Sequence, residues 1–149
     1  MFRHTVCSDS VDIEAPVRQV WEILADVERY GEWNPFTTQV DTSLEVGSSV
    51  DLYVSLGPFR LKQPELIQDV VPPSLLAWGM TMGARWLLKT RREQHLESLS
   101  DTRCRYMTTD AFRGVLTPLV VLLFGGLIRR GFNAMALALK ERAEEGIHS

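Results

Sequence analysis

The apolar positions of this chain change period once, and the change separates a strand-rich body from a helical end. In the last third, Ile128, Phe132, Met135, Ala136, Leu139 and Ala143 recur at the spacing that stacks side chains on one face of an α-helix. Arg129, Arg130, Asn133, Lys140, Glu141 and Glu144 fall on the opposite face. A helix with one wide apolar face needs a surface to lie on, and the residues before it read as short alternating strands that build one. Residues 2–14 form the first strand, which Ala15-Pro16 breaks; proline there suits the first turn of a helix carrying Val17, Val20, Trp21 and Leu24 on one stripe. Asp26 to Tyr30 adds a further turn, and Pro35 pushes Asn34 into extended geometry after Trp33.

Strand signals then follow one another, punctuated by turn residues. They are a weak strand over 38–43, a clear half-buried one with Val50, Leu52, Val54 and Leu56 on one parity, and one over 60–71. Pro64 argues that this last strand has an edge position or a bulge. Pro72-Pro73 makes a turn, residues 76–82 form the next strand, and residues 86–99 and 102–112 form a long hairpin around Ser100-Asp101. The expectation is one α+β domain over residues 1–149. In it a curved antiparallel sheet of about seven strands wraps around the long C-terminal helix, two short helices lie between strands 1 and 2, and a pocket lies between sheet and helix.

Parity in the final hairpin selects the residues that face that pocket. Cys104, Tyr106, Thr108, Asp110 and Phe112 share one side of the last strand, and Trp86, Leu88, Thr90, Arg92, Gln94 and Leu96 share the matching side of its partner. Polar groups among such bulky apolar ones must pair with each other, with water or with a ligand, because an unpartnered buried polar group costs roughly 1–3 kcal/mol. Arg92 and Asp110 are the most informative pair. One reading is an ion pair; the other has Arg92 receiving a carboxylate, phenolate or carbonyl of a ligand, with Tyr106 and Thr108 adding hydrogen bonds. Trp78 and Met80 suit either a core or the wall of a pocket for a flat apolar molecule. Trp33 and Phe36 flank the turn at Asn34-Pro35, where Trp33 either borders the pocket or plugs the helix end.

Val115 to Ile128 (VLTPLVVLLFGGLI) is nearly all apolar. It is shorter than the roughly 18 residues a membrane span needs, so a buried helix or a flap over a cavity is expected, with Phe124 facing inward and Gly125-Gly126 kinking the helix. Peripheral membrane contact stays open on this segment. Charge removes another partner class. With 16 Lys and Arg against 19 Asp and Glu, the chain has no basic field for a nucleic-acid backbone. Cys7 and Cys104 have no metal-site spacing and read as small core residues. His4, His95 and His148 do not fall on the inward faces, so no Ser/His/Asp or Cys/His catalytic set, metal site or cofactor is expected. The opening MFRHTVCSDS lacks the apolar core of a signal peptide, which points to the cytoplasm.

Several local patterns carry a family resemblance. They are Ile13-Glu14-Ala15-Pro16 followed by Val20-Trp21, then Trp33-Asn34-Pro35, Pro72-Pro73 before Leu76 and Trp78, and Asp110-Ala111-Phe112-Arg113-Gly114 ahead of a closing helix. In these and in element order the chain resembles the START-like helix-grip (SRPBCC) superfamily, and within it the polyketide cyclase/dehydrase and lipid-transport group. It departs in having Asp110 where relatives often have glutamate. The resemblance implies a helix-grip fold and a hydrophobic or amphipathic small-molecule ligand, a lipid or aromatic metabolite, bound by a monomer or homodimer. Candidate ligand-binding residues are Trp33, Phe36, Trp78, Met80, Arg92, Gln94, Tyr106, Thr108, Asp110, Phe112 and Phe124. It also admits a cyclase/dehydrase-like enzyme, with Arg92 stabilising an enolate and Asp110 or Tyr106 moving protons, and a protein- or membrane-interaction module forms a third reading.

Overall fold

In the computed structural model, which describes residues 2–148, the strands form one eight-stranded antiparallel sheet. The elements are β1 (Arg3–Cys7), β2 (Val11–Ile13), α1 (Val17–Ala25), a 3-10 helix (Val27–Glu32), β3 (Thr37–Thr42), β4 (Ser49–Leu56), β5 (Phe59–Val71), β6 (Leu75–Met82), β7 (Leu88–Ser100), β8 (Arg103–Arg113) and α2 (Thr117–His148). Sheet order is β1-β8-β7-β6-β5-β4-β3, and β2 also pairs with β8. The helix-grip architecture expected from the period change is therefore present. The strand expected over 2–14 is divided, because Ser8 leaves the ladder: its N–H reaches the Thr108 carbonyl at 2.9 Å and its Oγ accepts from the Thr108 N–H at 3.0 Å. Two short segments then share one edge of β8 in place of one long strand.

The apolar stripe of α2 packs as its spacing predicts, with Ile128, Phe132, Met135, Ala136, Leu139 and Ala143 all buried. Val20, Trp21 and Leu24 of α1 join the same core. The polar face of α2 ties it to the β1–β2 edge. Asn133 Oδ1 accepts from the Asp9 N–H at 2.8 Å, Arg129 reaches the Asp9 carboxylate at 2.9 Å, and Lys140 donates to the Asp12 carbonyl at 2.8 Å. Helical hydrogen bonding runs unbroken through Gly125 and Gly126, so the apolar run after Val115 is the first third of one 32-residue helix and not a separate segment.

One irregularity of the sheet positions the site. β5 pairs with β4 along Phe59 to Leu66, but its pairing with β6 begins only at Leu66↔Gly79. The stretch Phe59 to Glu65 is thus locally an edge, which is how a central strand accommodates Pro64. On the other side, Met80 to Met82 of β6 pair with β7 alone. The two strands diverge, and α2 crosses the gap.

α2 packs tightly at Gly131, where an added Cβ would overlap the Phe36 ring that precedes β3. An added Cβ at Gly126 meets nothing within 4 Å. We expect Gly126→Ala to raise stability by about 0.5–1 kcal/mol through helix propensity. Gly131→Ala should lower it by about 1–3 kcal/mol despite the same propensity gain, because the overlap with Phe36 forces repacking. Paired chemical-denaturation curves check both signs.

Candidate functional site

Between the diverging strands and the first turns of α2 lies a cavity of about 240 Å³. Its sheet walls are Leu52, Val54 and Leu56 of β4, Leu61, Gln63 and Glu65 of β5, and Trp78, Met80 and Met82 of β6. Leu88, Thr90 and Arg92 of β7, with Asp110 and Phe112 of β8, close the far side, and Val120, Phe124, Ile128 and Phe132 of α2 form the roof beside Phe36. The alternation of each strand delivers these residues, since every second side chain faces the helix.

Arg92 is the fixed cation of this interior. Its Nε donates to Thr108 Oγ1 at 3.2 Å, Nη1 to Thr37 Oγ1 at 3.4 Å, and Nη2 lies 3.1 Å from Met135 Sδ. The guanidinium sits over the rings of Phe132, Phe36 and Trp78, at 4.5, 5.4 and 5.7 Å from their centres. Aromatic faces attract a desolvated guanidinium, which offsets part of the cost of burying it. Asp110 is its register partner across β7–β8, yet no carboxylate oxygen lies within ion-pair distance of Arg92 among the described residues. The ion-pair reading is corrected: the Arg92 donors turn to the hydroxyls of Thr108 and Thr37, and Asp110 Oδ1 is buried with no hydrogen-bond partner.

Burial pushes the Asp110 carboxyl up to about 7, against the opposing pull of Arg92. Glu65 is pushed further, to about 8, first by burial and then by the nearby charge of Asp110, again opposed by Arg92. Two carboxyls that titrate near neutrality therefore share one apolar chamber with a guanidinium. Such a chamber can hold a molecule with an apolar body and a polar end that accepts from Arg92 or exchanges hydrogen bonds with the carboxyls.

Of the expected site residues, Phe36, Trp78, Met80, Arg92, Asp110, Phe112 and Phe124 line the cavity. Thr108 lies behind Arg92 and donates to the Glu93 carbonyl at 2.9 Å, while Tyr106 donates to Gln94 Oε1 at 2.7 Å beneath the floor. Thr108 and Tyr106 thus bond to neighbours and to Arg92 below the cavity lining, Gln94 Nε2 is buried with no hydrogen-bond partner, and burial holds the Tyr106 hydroxyl above its ordinary value. Trp33 takes the helix-end reading: its ring packs edge-on to Tyr30 at 5.2 Å. Beside it Asn34 Oδ1 accepts from the Phe36 and Thr37 N–H groups at 3.0 and 2.9 Å and turns the chain into β3. Trp86, assigned inward by parity, precedes β7 in an exposed turn. His4 is exposed and His95 meets Glu93 on the outer face at 3.2 Å; the His148 side chain lies outside the described residues. Among the described residues no cluster of His, Cys, Asp or Glu is placed to hold a metal ion.

Sequence reasoning missed Glu65 and Gln63. The signal was present, since both share the parity of Leu61, but Pro64 drew attention to the edge and not to the face.

The family described as polyketide cyclase / dehydrase and lipid transport matches residues 13–140. The chain belongs to this family. No curated protein matches it in sequence. Among solved structures it is similar to the Zhui aromatase/cyclase from Streptomyces sp. R1128, with 21% identity over 98% of this chain and 96% of that one and a TM-score of 0.79. It also resembles a START superfamily protein from Mycobacterium smegmatis, at 17% identity over 95% of this chain and 98% of that one with a TM-score of 0.74. A norcoclaurine synthase from Thalictrum flavum, solved with dopamine and hydroxybenzaldehyde, matches at 16% identity over 97% and 88% of the two chains with a TM-score of 0.72. At these identities the likeness establishes the shared fold.

The raised carboxyls give a pH dependence with a definite sign. Unfolded, Asp110 and Glu65 titrate near 3.8 and 4.5; folded, near 7 and 8, so the folded chain binds the extra protons. Their contribution to stability is complete below the unfolded values and is lost as pH rises through the folded ones. We expect the melting temperature to fall between about pH 5 and pH 9, and Asp110→Asn with Glu65→Gln to flatten that slope. A slope identical in the double variant would contradict the assignment.

Proposed function

We propose that this protein binds a small hydrophobic or amphipathic molecule, a lipid or aromatic metabolite, with its apolar body between sheet and α2 and its polar end at Arg92. The observation that carries this reading is the chamber itself, apolar on nearly every wall with one fixed guanidinium and an unpartnered carboxyl oxygen at one end. Its volume of about 240 Å³ is near the lower end of ligand sites. A single aromatic or short acyl unit fits inside, and a longer ligand would extend out through the gap between β5 and β6. Binding of small aromatic molecules by a synthase of the same fold supports the choice of ligand class.

A second reading has its own observation. Two carboxyls poised near neutrality beside a guanidinium are what proton transfer next to a developing enolate requires, so a cyclase/dehydrase-like activity belongs to the same chamber. Arg92 would then stabilise the oxyanion, and Asp110 or Glu65 would move the proton. In this reading Asp110→Asn with Glu65→Gln removes turnover of an enolisable polyketone while leaving its binding in place.

Binding is tested by titrating naphthoate and naphthalene and by native mass spectrometry of protein purified from its host. Val54 faces the chamber, and Val54→Phe should weaken both probes about tenfold or more, about 1.4 kcal/mol, while the fold survives. Arg92→Met should weaken naphthoate and spare naphthalene. Saturable binding that ignores Val54→Phe would overturn the assignment of the cavity.

A further inference from the structure

The mouth of the cavity carries a second, unassigned feature. Three segments meet there: the β4–β5 turn, the β6–β7 connection and the entry into α2. The Phe59 and Phe124 rings lie 6.2 Å apart, and the Val115 and Leu116 N–H groups donate to the Trp86 and Leu87 carbonyls at 2.9 and 3.1 Å. All three segments present large apolar side chains to solvent. Leu122 is 82% exposed, Trp86 and Leu123 are each 58% exposed, and Leu119, Phe59 and Met82 are about half exposed. The expectation of a buried helix over 115–128 is corrected here: Val120, Phe124 and Ile128 roof the cavity, while Leu119, Leu122 and Leu123 point away from it.

The same segments contain only positive charge. Residues 57–62 hold Arg60 and Lys62, residues 82–89 hold Arg85 and Lys89, and residues 113–130 hold Arg113, Arg129 and Arg130, with no Asp or Glu in any of the three. The chain as a whole carries a net charge of −3, so three segments free of acids stand apart from its composition. Lys62 reaches Asp51 at 3.9 Å and Arg129 reaches Asp9; the other five cations form no ion pair among the described residues. An apolar platform rimmed by unpaired cations complements a surface that is apolar inside and anionic outside.

We propose that this face docks on an anionic lipid bilayer, with Leu119, Leu122, Leu123 and Trp86 entering the interface and the rim cations meeting the headgroups. The contact is peripheral. By length and composition α2 could cross a membrane, but beyond Ile128 its stripe of Phe132, Met135, Ala136, Leu139 and Ala143 is buried in the core, and the free part from Thr117 is about 18 Å long against a hydrocarbon thickness of about 30 Å. Docking turns the cavity mouth toward the acyl region. This adds an access route to the binding reading above, and it rests on that reading only for what passes through the mouth.

Flotation with phosphatidylcholine vesicles containing about one third phosphatidylglycerol tests docking on protein without added ligand. We expect binding that falls at least about tenfold on phosphatidylcholine alone and weakens with salt. Leu119→Asp with Leu122→Asp should abolish it, whereas Arg85→Gln with Lys89→Gln and Arg113→Gln should remove only the preference for the anionic lipid. Val54→Phe, which closes the cavity, should dock normally, so failure of the binding reading and failure of docking are told apart. A blue shift of tryptophan emission on the vesicles should disappear in Trp86→Phe. No binding to the anionic vesicles, or binding indifferent to the two leucine substitutions, overturns the proposal. So does a dimer that those substitutions dissociate, which would make the face a contact between copies of this chain.

Discussion

Packing of the Ile128 to Ala143 stripe into the concave side of the sheet is the contact on which the rest depends. No other element offers the sheet an apolar partner of that length, and the inner faces of β4, β7 and β8 would otherwise stand in water. The stripe serves only the C-terminal part of α2. Toward the N-terminus the helix continues past the place where β5 and β6 separate, and its inward side chains there face a space instead of a neighbour. Core and cavity are thus two stretches of one helix–sheet interface, distinguished by whether the sheet beneath is fully paired.

Into this interface the chain places charge that it does not neutralise. Arg92 is held by hydroxyls, a thioether and three aromatic faces, an arrangement that fixes the cation without cancelling it. Burial makes Asp110 and Glu65 hold their protons up to near-neutral pH, against the pull of Arg92. A direct Arg92–Asp110 pair would have stabilised both charges and closed the site to other partners. Leaving the guanidinium among rings and one acid without a bond keeps a polar end available to whatever fills the apolar space.

The fold was legible because two periods suffice to describe it. Alternation through Cys104 to Phe112 identified the inner face of β8, and the helical spacing from Ile128 identified the buried face of α2. The division between cavity and floor was not legible, because Thr108, Tyr106 and Gln94 share parity with Arg92 and Asp110 and differ only in depth. Depth depends on which strands stay paired, and the gap between β5 and β6 is a long-range property that no local pattern at Pro64 reports. Glu65 escaped for the same reason. Trp86 was misplaced because parity was extended past the true start of β7 into a turn, where the alternation rule has no force.

Gly131 adds a geometric consequence. The absence of a side chain lets α2 approach until its backbone rests against the Phe36 ring, and this contact lies at the cavity roof itself, between Ile128 and Phe132. The height of α2 above the chamber is therefore set in part by a residue without a side chain. A bulkier residue here would displace the Phe36 ring or lift the helix from it, and either shift changes the size of the chamber. Two chains of this architecture with identical linings could then differ in the size of molecule they admit, through a position that touches no ligand.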